Sequence, residues 1–167
     1  MRTRFSRFLP FSTFLLSTLL FACPTTGDQQ SSRNNHKNQF SVSKEVYDKT
    51  FDEILQFIKK IDELIKTSNY DQWKANLTAD FMTRYSDQGF LMELSQKPYL
   101  KERNIILKSL HDYFINVFIP SRIENRLDKI EFIGENRVKA ISVISDVPYI
   151  VYLLEKDENN QWKIGVW

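Results

Sequence analysis

Near residue 120 the spacing of apolar residues changes from three or four to two, and this change restricts the fold more than any other feature. Before it, Ser43 has the chemistry of an N-cap, and Val46, Thr50, Phe51, Ile54, Ile58, Ile61 and Ile65 follow at helical steps. Charged residues fill the other faces, so one amphipathic helix is predicted to end near Lys66. Fewer than four heptads are present, which favours packing on the same domain over a partner-binding coiled coil. Shorter helices are predicted over 71–75, over 79–85 with Thr78 as cap, and over 89–94. Trp73, Phe81, Tyr85, Phe90 and Leu94 are their expected core contacts. Pro98 suits a first helical turn, and a long helix is expected over 99–118, ended by Pro120. Its apolar stripe would be Leu100, Ile106 or Leu107, Leu110, Phe114 and Val117.

After that point the alternation predicts strands over 127–133, 137–145, 149–156 and 161–167, with turns at 134–136, 145–148 and 157–160. Such short connections require antiparallel neighbours. Ile130 and Phe132, Val138 and Ala140, Val151 and Leu153, and Trp162, Ile164 and Val166 can each line one face. Helices followed by a four-stranded antiparallel meander define an α+β class, placed here at residues 42–167.

The first 41 residues have a different character. Arg2, Arg4 and Arg7 precede fifteen uncharged residues rich in Leu and Phe, and a polar stretch follows Cys23. A basic start, a short apolar middle and a small residue at the end describe a secretory signal peptide, here residues 1–22. The apolar run falls short of the roughly 18 residues a membrane-spanning helix needs, and Pro10 interrupts it. Without this segment the 23 basic and 21 acidic residues become 20 and 21, a net charge of −1. No basic helix face remains to attract nucleic acid.

Cys23 is the single cysteine, so an internal disulfide is impossible. A catalytic thiol needs a positioned base in a folded pocket, and the surrounding sequence offers neither. Leu20, Phe21, Ala22 and Cys23 together resemble the lipobox of bacterial lipoproteins, although Phe21 is bulkier than the usual occupant. The resemblance implies cleavage after Ala22 and a diacylglycerol on Cys23. The protein would then be exported and held by lipid, on the periplasmic face of the inner membrane or in the outer membrane. Ordinary secretion and an uncleaved anchor are the alternatives, but the first favours a small residue where Leu20 stands. Residues 23–41 have Phe40 as their one large apolar side chain, and read as a disordered tether with His36 solvated in it. About 18 such residues would span on the order of 23 Å.

The layout of a long helix, further helices and a meander closing with "KDENNQWKIGVW" resembles the nuclear-transport-factor-two-like, or ketosteroid-isomerase-like, superfamily. The local signature is a charged turn before Trp162, Lys163 and Ile164. The resemblance implies a cone, with a curved sheet wrapped around a pocket that the helices close. That superfamily usually has a strand between its second and third helices, and residues 83–96 do not read as one.

Motifs for chemistry are sparse. His111, followed by Asp112 and Tyr113, is the best candidate for a general base, but adjacent helical residues point about 100° apart and cannot converge. Asp128 and Asp146 read as turn or surface acids. No cluster of His, Cys and acids suggests a metal, and no Gly-rich loop suggests a phosphate cofactor, so no cofactor is expected. Asn76, Leu77 and Thr78 form a glycosylation sequon that a bacterial lipoprotein would leave bare. The leading expectation is a non-catalytic domain binding a small apolar ligand or an envelope protein. A small enzyme of the ketosteroid-isomerase type comes second, and would need a buried, pKa-shifted acid or His in a deep cavity. A third reading is an oligomerising module with an exposed apolar patch near Ile141 and Val143.

Overall fold

The computed structural model describes residues 40–122 and 126–167. Helices come first: α1 Lys44–Lys66, α2 Tyr70–Lys74, α3 Ala79–Ser86, α4 Gln88–Ser95, α5 Pro98–Lys101 and α6 Leu110–Tyr113, the last running into a π-helical turn, Phe114–Phe118. Four strands follow: β1 Lys129–Gly134, β2 Arg137–Ile144, β3 Val147–Lys156 and β4 Trp162–Ile164. They form one antiparallel sheet in the order β1-β2-β3-β4. The α+β class and the meander are therefore as the period change predicts.

Helix starts follow side-chain chemistry closely. Ser43, Asn69, Thr78, Asp87 and Ser109 each accept a hydrogen bond from the backbone N–H three residues on, satisfying a donor that the helix itself leaves free. Pro98 opens α5 without a side-chain cap. α1 stops where Ser68 takes a left-handed φ of 50°. Asn69 N–H then returns to the Leu64 carbonyl at 2.8 Å and Ser68 N–H to Ile65 at 3.0 Å, a Schellman closure.

The long helix expected over 99–118 does not form. Asn104 adopts a φ of 54°, and its neighbour Ile105 donates back to the Leu100 carbonyl at 3.0 Å, so α5 ends in the same closure. The chain continues without helical structure to Ser109, which caps α6. Ser95 fixes this segment from the side: its hydroxyl donates to the Leu91 carbonyl at 2.7 Å and accepts from Leu107 N–H at 2.9 Å. Leu107 is buried in consequence, while Ile106 is exposed.

The sheet departs from simple alternation at one point. Ala140 pairs with Tyr152 but Ile141 pairs with Ile150, leaving Val151 as the extra residue of a bulge. The bulge shifts the phase of β3. Tyr152 and Leu154 face the core opposite Ala140 and Val138, and Val151 is buried too, whereas Leu153, expected inside, is only half-buried. β3 also begins earlier than predicted, because Ser145 and Asp146, both with positive φ, make a two-residue turn and leave Pro148 in the strand. β4 is shorter than predicted. It ends at Ile164, whose N–H and carbonyl bond Asn76 and Thr78, while Gly165 N–H bonds the Leu153 carbonyl.

Between helices and sheet lies one hydrophobic core. Ile54, Ile58 and Ile61 of α1, Trp73, Phe81, Leu91, Phe114 and Phe118 pack with Ile130, Phe132, Val138, Tyr152, Leu154 and Ile164. Leu91, fully buried, is a core residue that the helical pattern of 89–94 did not single out. Val46 and Ile141 also deviate: Val46 at the start of α1 is exposed, and Ile141 on β2 is buried.

Candidate functional site

The core contains polar groups that its own side chains leave unsatisfied. Trp73 Nε1, Arg122 Nε and the Tyr152 hydroxyl are all shielded from solvent, and none has a hydrogen-bond partner of good geometry. Each comes from a different part of the fold: Trp73 from α2, Arg122 from just beyond the π-helical turn, and Tyr152 from β3. Phe118 joins them, with its ring centroid 4.8 Å from that of Trp73 and 6.2 Å from that of Tyr152. The Arg122 guanidinium lies over both aromatic neighbours, 5.1 Å from the Phe118 centroid and 5.0 Å from the Tyr152 centroid.

The sequence dictates this arrangement locally. Asn69 caps a short helix whose only buried residue is Trp73, and the π-helical turn carries Phe114 and Phe118 into the core. Arg122 then follows Pro120 as the first charge after an apolar run. It is half-buried, and its Nη1 donates to the Ser121 carbonyl and hydroxyl at 3.2 and 3.0 Å.

The Asp62 carboxyl completes the electrostatics. Burial pushes the Tyr152 hydroxyl well above the usual phenol range, Arg122 draws it back and the Asp62 charge adds to the rise. Asp62, half-buried on α1, has its own carboxyl raised chiefly by burial, against the nearby Lys66. A second pair of phenols lies alongside: Tyr113 is raised strongly by burial and by Tyr85, whose ring centroid is 4.2 Å away. Trp73 Nε1 and Arg122 Nε can only donate, so each calls for an acceptor, whereas the Tyr152 hydroxyl can donate or accept. Aromatic side chains fill the surrounding space: Trp73, Phe114, Phe118 and Tyr152 are each at most 2% exposed.

A concavity of about 410 Å³ lies where residues 40–43 pass the start of α1 and the sheet. Glu53 sits in it, accepting from Trp162 Nε1 at 3.1 Å and paired with Lys156 at 3.3 Å. Burial would raise this carboxyl, but Trp162 and Lys156 together hold it below its ordinary value. These three side chains satisfy one another.

The residues singled out from sequence lie elsewhere. Ala22, Cys23 and His36 fall outside the described residues. His111 is exposed on α6 and meets the edge of Tyr70 at 4.7 Å, on the outside of the aromatic cluster. Asp128 clamps the sheet, accepting from Val143 N–H at 2.7 Å and from Arg126. Asp146 is in the β2–β3 turn. The sequon's Asn76 is buried and fully engaged, its amide donating to the Gln72 carbonyl and its oxygen accepting from Lys60. No cluster of metal ligands occurs among the described residues, and no helix there is long and apolar enough to cross a membrane. Arg122, Tyr152 and Asp62 were missed because each carries only a faint signal: one charge after an apolar run, one hydroxyl inside "IVYLL", and one acid beside Ile61.

No family model matches the chain, and no solved structure matches it. Among curated proteins, one described as an uncharacterized lipoprotein of Treponema pallidum (strain Nichols) is 28% identical over 123 residues, which cover 74% of this chain. The matched region spans 64% of that relative's length.

Proposed function

We propose that this chain is an exported bacterial lipoprotein, held to a membrane through an acylated Cys23, whose α+β domain binds a small acceptor-bearing molecule without transforming it. The anchoring half of this reading is supported by the basic start, the apolar run ending in Ala22 and Cys23, and the likeness to the treponemal lipoprotein. The binding half is carried by one observation: Trp73 Nε1, Arg122 Nε and the Tyr152 hydroxyl are buried without a hydrogen-bond partner of good geometry. Burying donors unpaired costs about 1–3 kcal/mol each, so an acceptor that reaches them is strongly favoured. Arg122 is half-buried, so part of its side chain meets solvent. A carboxylate matches its charge, and an aromatic body matches Phe118 and Tyr152 beside it.

Calorimetric titration of the full chain with benzoate, and with benzyl alcohol as the uncharged control, tests this. Benzoate is expected to bind and benzyl alcohol to bind more weakly, and Arg122→Met is expected to abolish the difference while leaving the folded circular-dichroism spectrum intact. Equal affinity for the two probes, or no heat from either, would mean that buried water alone satisfies the donors.

Membership of the nuclear-transport-factor-two-like superfamily belongs to the same proposal. Its support is the order of helices before a meander that ends in Trp162, Lys163 and Ile164. Residues 83–96, which lie where that superfamily usually has a strand, are helical in α3 and α4. The ketosteroid-isomerase-type enzyme stays as a second reading because of Asp62, a half-buried carboxyl with a raised pKa that acts on Tyr152. It requires Asp62→Asn to abolish turnover of a substrate while binding persists.

A further inference from the structure

The β2–β3 hairpin runs out beyond the cover of the helices, and residues 144–150 are all exposed. The third reading from sequence placed an apolar patch at Ile141 and Val143, but Ile141 is buried and the exposed apolar side chains lie further out. Strand pairing sorts them onto two faces. Ile144 stands opposite Val147 and Ser142 opposite Tyr149, so Ile144, Val147 and Tyr149 share one face. Val143 stands opposite Pro148 and Ile141 opposite Ile150, which puts Pro148 and Ile150 on the other. Ile144, Val147, Tyr149 and Ile150 are between 47% and 55% accessible, so neither face is covered.

The edges of the hairpin are nearly closed to further strands. β1 stops pairing with β2 at Ile141. Beyond it, side chains take both backbone groups of Val143: its N–H donates to Asp128 at 2.7 Å and its carbonyl accepts from Arg126 at 3.3 Å. Because Val143 turns outward there, its partner Pro148 turns outward on β3, where it has no N–H to donate. Further along that edge Val151 and Tyr152 are buried. Ile150 alone is left, too little for a ladder.

We propose that this hairpin is a second membrane contact, dipping into the interfacial layer of the bilayer to which Cys23 is attached; the inference rests on the lipoprotein reading. Three observations favour lipid over a protein partner. A protein packs against one face of a hairpin, whereas apolar side chains on both faces call for a medium that surrounds them. Backbone groups already bonded or absent at the edges lower the cost of leaving water, and the same closure excludes a partner strand. Lastly, anchor and hairpin are within reach of one surface. Phe40 follows Cys23 by 17 residues, at most about 60 Å of chain, and lines a concavity with Phe132. From Val138, opposite Phe132, seven residues lead along β2 to the turn at Ser145, roughly 23 Å of strand. Tethering therefore supplies lipid at high effective concentration. Asp146 in the turn is the one charge between Lys139 and Glu155, and it keeps the contact shallow, at headgroup depth. Tyr149 suits that depth.

The test is spin labelling of the acylated full chain, reconstituted in phosphatidylcholine vesicles. Acylation of Cys23 leaves one free thiol for a nitroxide in each of Tyr149→Cys, Ile150→Cys and a control, Asn159→Cys, in the turn at the other end of β3. All three positions are exposed, so folding is expected to be unaffected. Oxygen concentrates among acyl chains and a nickel chelate stays in water, so their collisions with the label report depth. The ratio of oxygen to nickel collisions is expected to be several-fold higher at 149 and at 150 than at 159. Equal ratios at all three would overturn the proposal with the anchor intact, because flotation with the vesicles reports the anchor separately. Shielding of one face alone from both reagents, or spin–spin broadening between copies, would overturn it in favour of a protein contact. A chain that bears no lipid and stays off the vesicles overturns both readings.

Discussion

Asp128 and Asp62 are both ordinary in the sequence and opposite in their effects. Backbone N–H of Val143, then Arg126 and Ser142, hold the Asp128 carboxyl below its ordinary 3.8. A carboxylate with a depressed folded value adds stability above its unfolded value and loses it as pH falls through the folded one. Asp128→Asn is therefore expected to be less stable than wild type near neutral pH, with the gap closing under acid, as urea unfolding at several pH values will measure. Asp62 runs the other way. Burial raises its carboxyl above 3.8, so its contribution is complete in acid and is lost as pH rises through the folded value. Asp62→Asn should stabilise the protein near neutral pH and converge with wild type in acid. If both variants shift stability equally at every pH, neither carboxyl is perturbed as described. Reading a single residue from sequence worked where the role is local. Ser43 and Thr78 are caps because their hydroxyls need only the next turn. Asp128 was legible as a turn or surface acid but not as a clamp, because its partner Val143 is 15 residues away.

At the scale of elements, periodicity alone could not show the break between α5 and α6. Residues 99–118 keep a helical apolar stripe, but Asn104 tolerates a left-handed φ and Ser95, on a different helix, captures Leu107 N–H. Ser95→Ala leaves that buried N–H unpaired and is expected to cost about 1–3 kcal/mol. Hydrogen exchange should accelerate at Leu107 before it does in α1. Unchanged stability and exchange would show that Ser95 does not fix the segment. The bulge at Val151 was hidden for the same kind of reason. Alternation in "PYIVYLLEK" fits two phases equally well, and only pairing with β2 selects the one that buries Tyr152 and Leu154. The same phase sets the Tyr152 hydroxyl beside Arg122.

For the whole molecule, the period change near residue 120 conveys the class and the meander because each strand is joined to the next by a short turn. The candidate site was less legible, since Phe118 comes into contact with Trp73, Arg122 and Tyr152 only after helices and sheet close on each other. Attachment is the opposite case. It rests on a short contiguous motif, Leu20 to Cys23, and needs no folded context. Each acyl methylene buried in a bilayer contributes about 0.8 kcal/mol, so one chain binds reversibly and two or more hold a domain stably. A diacylglycerol on Cys23, as proposed, would supply two. Wild-type protein is expected to incorporate a clickable fatty acid and to sediment with membranes through a salt wash. Cys23→Ala should take up no label and, with its cleavage point altered, should keep the uncleaved segment 1–22 or leave the membrane fraction. Phe21→Gly, which brings the motif closer to the usual lipobox, should label at least as well as wild type. Labelling of Cys23→Ala at the wild-type level would sink the anchor.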